Sequence, residues 1–265
     1  MLEVAFLGYG RMAQAISAGL DRSNLVPYAR QAASDIAAES LASLSSSRGF
    51  KAAASNLELA SLAPTVIIAV KPHQVRGVLA EASSALSGRL VISIAAGVTL
   101  RSLSALLPDS AVVRVIPNLP AMAGQGVTLM CAEKEVSRAD LDKARAIFEA
   151  VGSVIELPEA RFNEGMAVSG SGPAFFFLFM EAMIRGAARL GLTWDMARDL
   201  VVKTALGSAA TALARPETSL AELRDAVASP GGATAEGLLE LERGSLTALV
   251  HDALLATAEK GRDLG

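Results

Sequence analysis

"EVAFLGYGRMAQAISAGLDR", residues 3–22, is the stretch whose reading decides the fold. It opens with an apolar run of strand length and closes with apolar residues at helical spacing. Between the two stand Gly8, Gly10 and Ala13 in the order Gly-x-Gly-x-x-Ala. Gly8 permits a tight turn out of a strand, Gly10 lets another group approach the backbone, and Ala13 lets the helix pack close to a sheet. The free N–H groups of the helix then face that approach, which suits a pyrophosphate. Such glycines also occur in purely structural turns. Their place between a strand and a helix, at the head of a βαβ pattern, favours a dinucleotide site.

Downstream the rhythm repeats. "LVPYA" (25–29) reads as a short second strand. "TVIIAV" (65–70) and "LVISIA" (90–95) are continuous apolar runs, as expected for strands covered on both faces. "AVVRVIP" (111–117) follows, and "GVTLMCA" (126–132) and "GSVIEL" (152–157) extend the series. "SRADLDKARAIFEAV" reads as a helix between the last two, with Ser137 as its N-cap. This alternation predicts an α/β fold, an N-terminal Rossmann-like, mostly parallel sheet.

After Leu157 the strand signal stops. "PAFFFLFMEAMIRGAARLG" (173–191) and "TWDMARDLVVKTALGSAATALA" (193–214) read as two long helices, the second capped by Thr193. "SLAELRDAVA" (219–228) is a third, and two more follow the glycines of "SPGGAT" (229–234). The long helices are apolar on more than one side, which fits a buried bundle core, a dimer interface, or both. The expected domains are 1–158, dinucleotide-binding, and 159–265, all-α, which the family resemblance set out below makes the dimerisation and substrate domain.

Composition narrows the function classes. The 265 residues are 52% hydrophobic with a net charge of −3, enough for a sizeable core and unlike a general nucleic-acid binder. The longest apolar run, "AFFFLFM", is too short to span a bilayer, and "MLEVAFLGYG" runs straight into a strand pattern, so no signal peptide is expected. A single cysteine, Cys131, leaves no internal disulfide and no cysteine-based metal cage, so no metal is expected and a reducing cytoplasm is the simplest compartment.

Ligands of such sheets lie beyond the carboxyl ends of the strands. "AVKPHQV" therefore brings Ala69, Val70 and Lys71 to the cofactor. "SIAAG" (93–97) brings Ile94, Ala95 and Ala96, small enough for a nicotinamide to lie flat. Lys71 serves equally well as a plain strand-end lysine, His73 as a solvated turn residue and His251 as a packing or surface residue. With "VPYARQ" ending the second strand, Arg30 supplies a cation where a carboxylate would favour NAD, which points to NADP with NAD still possible. The competing reading makes Arg30 a solvated surface residue.

"GYGRMA", "AVKP", "SIAAG", "VRVIPNLP", "VSGSGPAF" and above all "DAVASPGGATAEGL" resemble pyrroline-5-carboxylate reductase, in the right order over nearly the whole chain. The resemblance implies NAD(P)H-dependent reduction of 1-pyrroline-5-carboxylate to proline, and helical halves that interlace in a homodimer or larger assembly. By motif it puts cofactor contacts on Gly8, Gly10, Arg11, Met12, Arg30, Asn56, Ala69, Val70, Lys71 and Ile94 to Ala96. It puts substrate contacts on Ala233 and Thr234, with Glu159 of "PEARFNE" a weaker candidate.

A cyclic imino acid offers a carboxylate and a C=N bond. Gly231, Gly232 and Ala233 can present backbone N–H groups to the first at a helix N-terminus. Thr234 can hydrogen-bond to the ring nitrogen, orienting the imine while water or the protonated substrate supplies the proton. A helix–turn–helix linker with Thr234 as N-cap is the plain alternative.

Leu119 stands where the family usually has Thr, Asn163 and Met166 where Asp and Thr are common, and Ala226 where an amide is usual. Those departures keep two other functions in view: an NADP-dependent reductase of another cyclic imine or small carbonyl acid, and a non-catalytic dinucleotide-binding dimeric scaffold.

Overall fold

The computed structural model describes residues 1–263. The opening stretch forms β1 (Val4–Leu7) and α1 (Arg11–Arg22). The alternation continues through β2 (Gln31–Ser34), α2 (Ala38–Arg48), β3 (Lys51–Ala52), α3 (Asn56–Leu62), β4 (Thr65–Ile68), α4 (Pro72–Leu86), β5 (Leu90–Ser93), α5 (Leu100–Leu106) and β6 (Ala111–Ile116). Then come β7 (Gly126–Ala132), α6 (Arg138–Glu149), β8 (Gly152–Glu156) and α7 (Phe162–Ser169). The strands form one eight-stranded sheet in the order β3-β2-β1-β4-β5-β6-β7-β8. Every pairing is parallel except β6 with β7. This is the Rossmann-like sheet the alternation implied.

Strands covered on both faces need apolar side chains pointing both ways. In β1, Phe6 belongs to a core with Ile16, Leu20 and Phe148, and its neighbour Leu7 belongs to another with Leu59, Leu79 and Leu103. Ser137 caps α6, accepting from the Asp140 N–H at 3.1 Å.

The second strand is a correction. "LVPYA" is not a strand: Tyr28–Arg30 is a 3-10 turn, and the strand beside β1 is Gln31–Ser34. The shift costs no buried polarity. Gln31 Nε2 donates to the carbonyls of Val26 (2.7 Å) and Ser17 (3.1 Å), and its Oε1 accepts from Ser17 Oγ at 2.5 Å. The carboxyl end of β2 is therefore Ser34 followed by Asp35, and Arg30 lies at its opposite end.

Two compact units divide the chain, residues 1–170 with 257–265, and residues 171–256. The second is built from α8 (Gly172–Arg189), α9 (Trp194–Ala214), α10 (Leu220–Val227), α11 (Ala233–Arg243) and the first part of α12 (Leu246–Asp263). Thr193 caps α9, accepting from the Met196 N–H. α8 and α9 share a small core of Ile184, Ala197 and Val201. Much of the unit's apolar surface faces outward, Phe176 (70% exposed) and Leu206 (68%) among it. Residues 159–189 form a stretch long and apolar enough to cross a membrane by length and composition alone, which the short run "AFFFLFM" did not suggest.

Candidate functional site

The chain turns out of β1 at Gly8, whose φ of +88° disfavours any side chain. A Cβ there would lie 2.8 Å from Val70 Cγ1 and 2.9 Å from the Ala69 carbonyl oxygen, so the turn is pressed against the end of β4. Gly10 differs. It precedes α1 in extended conformation, and a Cβ on it would meet nothing within 4 Å. The space in front of it is the floor of a cleft of about 710 Å³.

That cleft lies where the strand order reverses, between β1 and β4, the place such sheets hold their ligands. Gly8, Gly10, Arg11, Met12, Asn56, Ala69, Val70, Lys71, Ile94, Ala95 and Ala96 all line it. Ala13 is buried on the inner face of α1 and serves packing. Arg30 does not line the cleft: its guanidinium pairs with the Glu3 carboxylate. Its expected place at the cofactor rested on the misplaced second strand and on the family resemblance.

The cleft also takes in residues that sequence reasoning missed, chiefly Ser34, Asp35, Gln74, Pro117 and Met122, and it places Leu119, one of the departures from the family pattern, on its wall. Asp35 holds the glycine turn in shape. Its Oδ2 accepts from the Tyr9 N–H at 2.7 Å and its Oδ1 from the Ala37 N–H at 2.9 Å. The Tyr9 ring packs edge-on against Phe6, and its hydroxyl meets Ser17 Oγ at 2.7 Å. Burial raises the phenol pKa above its ordinary value. Ser34 Oγ donates to Asn56 Oδ1 at 2.9 Å, and Asn56 Nδ2 donates to Glu81 Oε2 at 2.8 Å.

The fit to a dinucleotide is chemical as well as spatial. The first-turn N–H groups of α1 have no intrahelical acceptors. They border open space beside Gly10, where an anion gains from donors and helix dipole together. Arg11 adds a cation at the same rim.

An ion pair with a buried arginine and a partly exposed carboxylate ties β6 to the segment after β8. Arg114, in β6, is 5% exposed. Its Nη1 donates to Glu159 Oε1 at 2.6 Å, and the same oxygen accepts from the Leu100 N–H at 2.7 Å. The guanidinium lies 4.9 Å above the Phe162 ring centroid. The Glu159 carboxylate thus has partners within its own unit. Beside it, burial and then the Glu159 charge push the Cys131 thiol up to about 12.

In the helical unit "SPGGAT" forms the entrance to α11. Gly231 has φ +70°, and the Gly232 N–H donates to the Ser229 carbonyl at 2.9 Å. Gly232 is the residue at the N-cap. Thr234 is exposed one position inside the helix, and its hydroxyl takes no part in the cap. His73 and His251 are exposed. Ala226 sits in α10, and Asn163 and Met166 in α7.

A family model described as pyrroline-5-carboxylate reductase dimerisation matches residues 159–264, and one described as NADP oxidoreductase, coenzyme F420-dependent, matches residues 3–97. The chain is 39% identical to pyrroline-5-carboxylate reductase of Pseudomonas aeruginosa over 264 residues, covering 98% of this chain and 96% of that one. It is 35% identical to the Methanosarcina acetivorans protein of the same name over 267 residues, covering 99% and 98%. The solved pyrroline-5-carboxylate reductase of Coxiella burnetii superposes with a TM-score of 0.93 at 36% identity, covering 100% of this chain and 98% of that one. The Plasmodium falciparum pyrroline carboxylate reductase, solved with NADP bound, superposes with a TM-score of 0.89 at 29% identity, covering 100% and 98%.

Proposed function

The chain belongs to the pyrroline-5-carboxylate reductase family, and we propose that it uses NADPH to reduce 1-pyrroline-5-carboxylate to proline. One observation carries the reading most directly: the cleft at the β1/β4 reversal, floored by a Gly10 whose missing side chain leaves room for a pyrophosphate. When bound, the cofactor supplies a hydride for the carbon of the C=N bond. The α1 N–H groups and Arg11 hold its phosphates. Ser34 and Asn56 face its adenosine ribose. Ile94, Ala95 and Ala96 border its nicotinamide.

In the same reading residues 1–158 serve the cofactor and 159–265 the substrate and the dimer. The Gly232 N–H is taken by the Ser229 carbonyl, so the Ala233 and Thr234 N–H groups of the first turn of α11 hold the substrate carboxylate in place of the Gly232 donor expected from the sequence. The Thr234 hydroxyl orients the ring nitrogen, and its freedom from the helix cap supports that role. Threonine is a weak acid, so water or the protonated imine supplies the proton. The rate then rests on holding the C=N bond in near-attack geometry. The exposed apolar surface of α8, which belongs to the stretch that otherwise passes for a membrane span, and that of α9 are covered by a second copy in at least a dimer. The enzyme works in the cytoplasm.

The test follows NADPH and NADH absorbance with 1-pyrroline-5-carboxylate and with its six-membered-ring analogue. Turnover of the five-membered imine is expected. Faster turnover of the larger ring would assign the enzyme to another imine, in keeping with Leu119 on the cleft wall. Failure to oxidise either cofactor with any imine would leave a dinucleotide-binding scaffold.

A further inference from the structure

The Arg114–Glu159 pair joins β6 to the start of α5, the two elements whose neighbouring segments wall the cleft. One wall, Ile94 to Ala96, runs from β5 toward α5, where Leu100 is the first helical residue. The other, Ile116, Pro117 and Leu119, continues directly from β6, which carries Arg114. β5 and β6 are already paired, with Ser93 opposite Arg114. Past their ends the two walls are loops, and the ladder no longer fixes their spacing.

We infer that Glu159 is a positioning residue for hydride transfer: its Oε1, shared between the Leu100 N–H and Arg114 Nη1, sets the spacing of the two walls that border the nicotinamide end of the cleft. The inference rests on reading that cleft as the NADPH site.

Three features of the pair suit this task. A single oxygen takes both donors, at 2.7 and 2.6 Å, so moving either wall disturbs the other. Arg114 is buried and its Nε has no partner, so Glu159 is the anion that compensates its charge. Phe162, three residues after Glu159, lies beneath the guanidinium at 4.9 Å and limits its choice of rotamer. The arrangement also assigns the carboxylate otherwise than to substrate. Its Oε1 is committed to groups within the first unit, and a substrate contact at that oxygen would have to compete with a buried arginine.

Kinetics and exchange on the full-length enzyme test this. Glu159→Gln keeps the side-chain volume and an acceptor oxygen but drops the charge. Its kcat is expected to fall about tenfold, with KM for 1-pyrroline-5-carboxylate and affinity for NADPH within about twofold, since misplacement by a fraction of an ångström acts on the reacting geometry. The double variant Glu159→Gln/Arg114→Met should be no slower than Glu159→Gln alone, because both changes break one unit. A rise in KM with unchanged kcat would make Glu159 a substrate contact and overturn the inference. So would unchanged kinetics or additive losses.

Hydrogen exchange at the Leu100 amide supplies a readout that needs no turnover. It should quicken in Glu159→Ala and, to a lesser degree, in Glu159→Gln, which carries the measurement should the alanine variant fail to fold. Unchanged exchange overturns the inference. If the unaltered enzyme oxidises no NADPH with any imine, the functional reading fails by itself, and the exchange result still decides whether Glu159 holds the wall.

Discussion

Gly8→Ala and Gly10→Val separate two roles that the fingerprint combines. At Gly8 the backbone is left-handed, which costs an L-residue about 1–2 kcal/mol. The added methyl would also lie 2.9 Å from the Ala69 carbonyl oxygen, and forcing a methyl into such a fit costs about 1–3 kcal/mol. Gly8→Ala should therefore lose about 2–5 kcal/mol of stability, a large part of the roughly 5–15 kcal/mol typical of a domain. At Gly10, φ is −69° and ψ −176°, open to any residue, and nothing lies within 4 Å of a Cβ. Gly10→Val should fold with stability within about 0.5 kcal/mol of the parent. Its side chain enters the cleft and holds a pyrophosphate away from the α1 N–H groups. Losing even one charge-assisted hydrogen bond, worth about 1.5–3 kcal/mol, weakens binding tenfold or more. Denaturant unfolding of the two ligand-free variants, with calorimetric titration of NADP+ into Gly10→Val, reads both quantities. A folded Gly10→Val that binds NADP+ as well as the parent would remove the cofactor from this cleft. A Gly8→Ala as stable as the parent would refute the packing argument.

Arg30→Ala should leave the ratio of NADPH to NADH affinity within about twofold, because its guanidinium pairs with Glu3 at the far end of β2; a selective loss of NADPH binding would restore Arg30 to the site. Asp35→Asn should favour NADPH over NADH by about threefold to tenfold, the roughly 1 kcal/mol that a like-charge pair at 4 Å is worth in water; equal changes for both cofactors would confine Asp35 to holding the turn. Thr234→Ala should lower turnover and leave stability within about 0.5 kcal/mol, with Thr234→Ser keeping more activity; destabilisation by about 1 kcal/mol with normal turnover, the signature of a lost cap, would take Thr234 out of the mechanism. The Cys131 thiol, raised to about 12 from an ordinary 9.0, stays protonated in the fold after an unfolded chain has lost that proton, so its contribution to stability should fall as pH rises from about 9 toward 12; Cys131→Ala should flatten the decline, and parallel curves for the two proteins would refute the shift.

The strands that proved legible were those with a single physical explanation. "TVIIAV" and "LVISIA" carry apolar residues toward both faces, and only a covered strand buries such runs at that length. β2 offered no such signal. Gln-Ala-Ala-Ser has polar ends and little β propensity, whereas "LVPYA" next to it has the apolar residues. What makes Gln31–Ser34 a strand is its parallel register with β1 and the three hydrogen bonds that satisfy the Gln31 amide. Both depend on Ser17 and β1 being in place, and no local window contains them. The misplaced strand end put Arg30, in place of Ser34 and Asp35, at the carboxyl end of β2 beside the cleft.

Arg114 shows the opposite failure, a signal present in the sequence and passed over. A lone arginine in "AVVRVIP" breaks an otherwise apolar run, and strands in a doubly covered sheet bury both faces. A buried guanidinium is tolerated only with a compensating anion. The run alone therefore requires an acidic partner somewhere in the chain. It does not say which, because the partner lies 45 residues away, beyond β7, α6 and β8. Glu159 entered the sequence reading instead through a family motif, as a weak substrate contact. The motif is compatible with either role, since it records which residue stands at a position and not what that residue touches. The two hydrogen bonds to its Oε1 supply the missing half, turning a residue with an assigned ligand into one with an assigned neighbour.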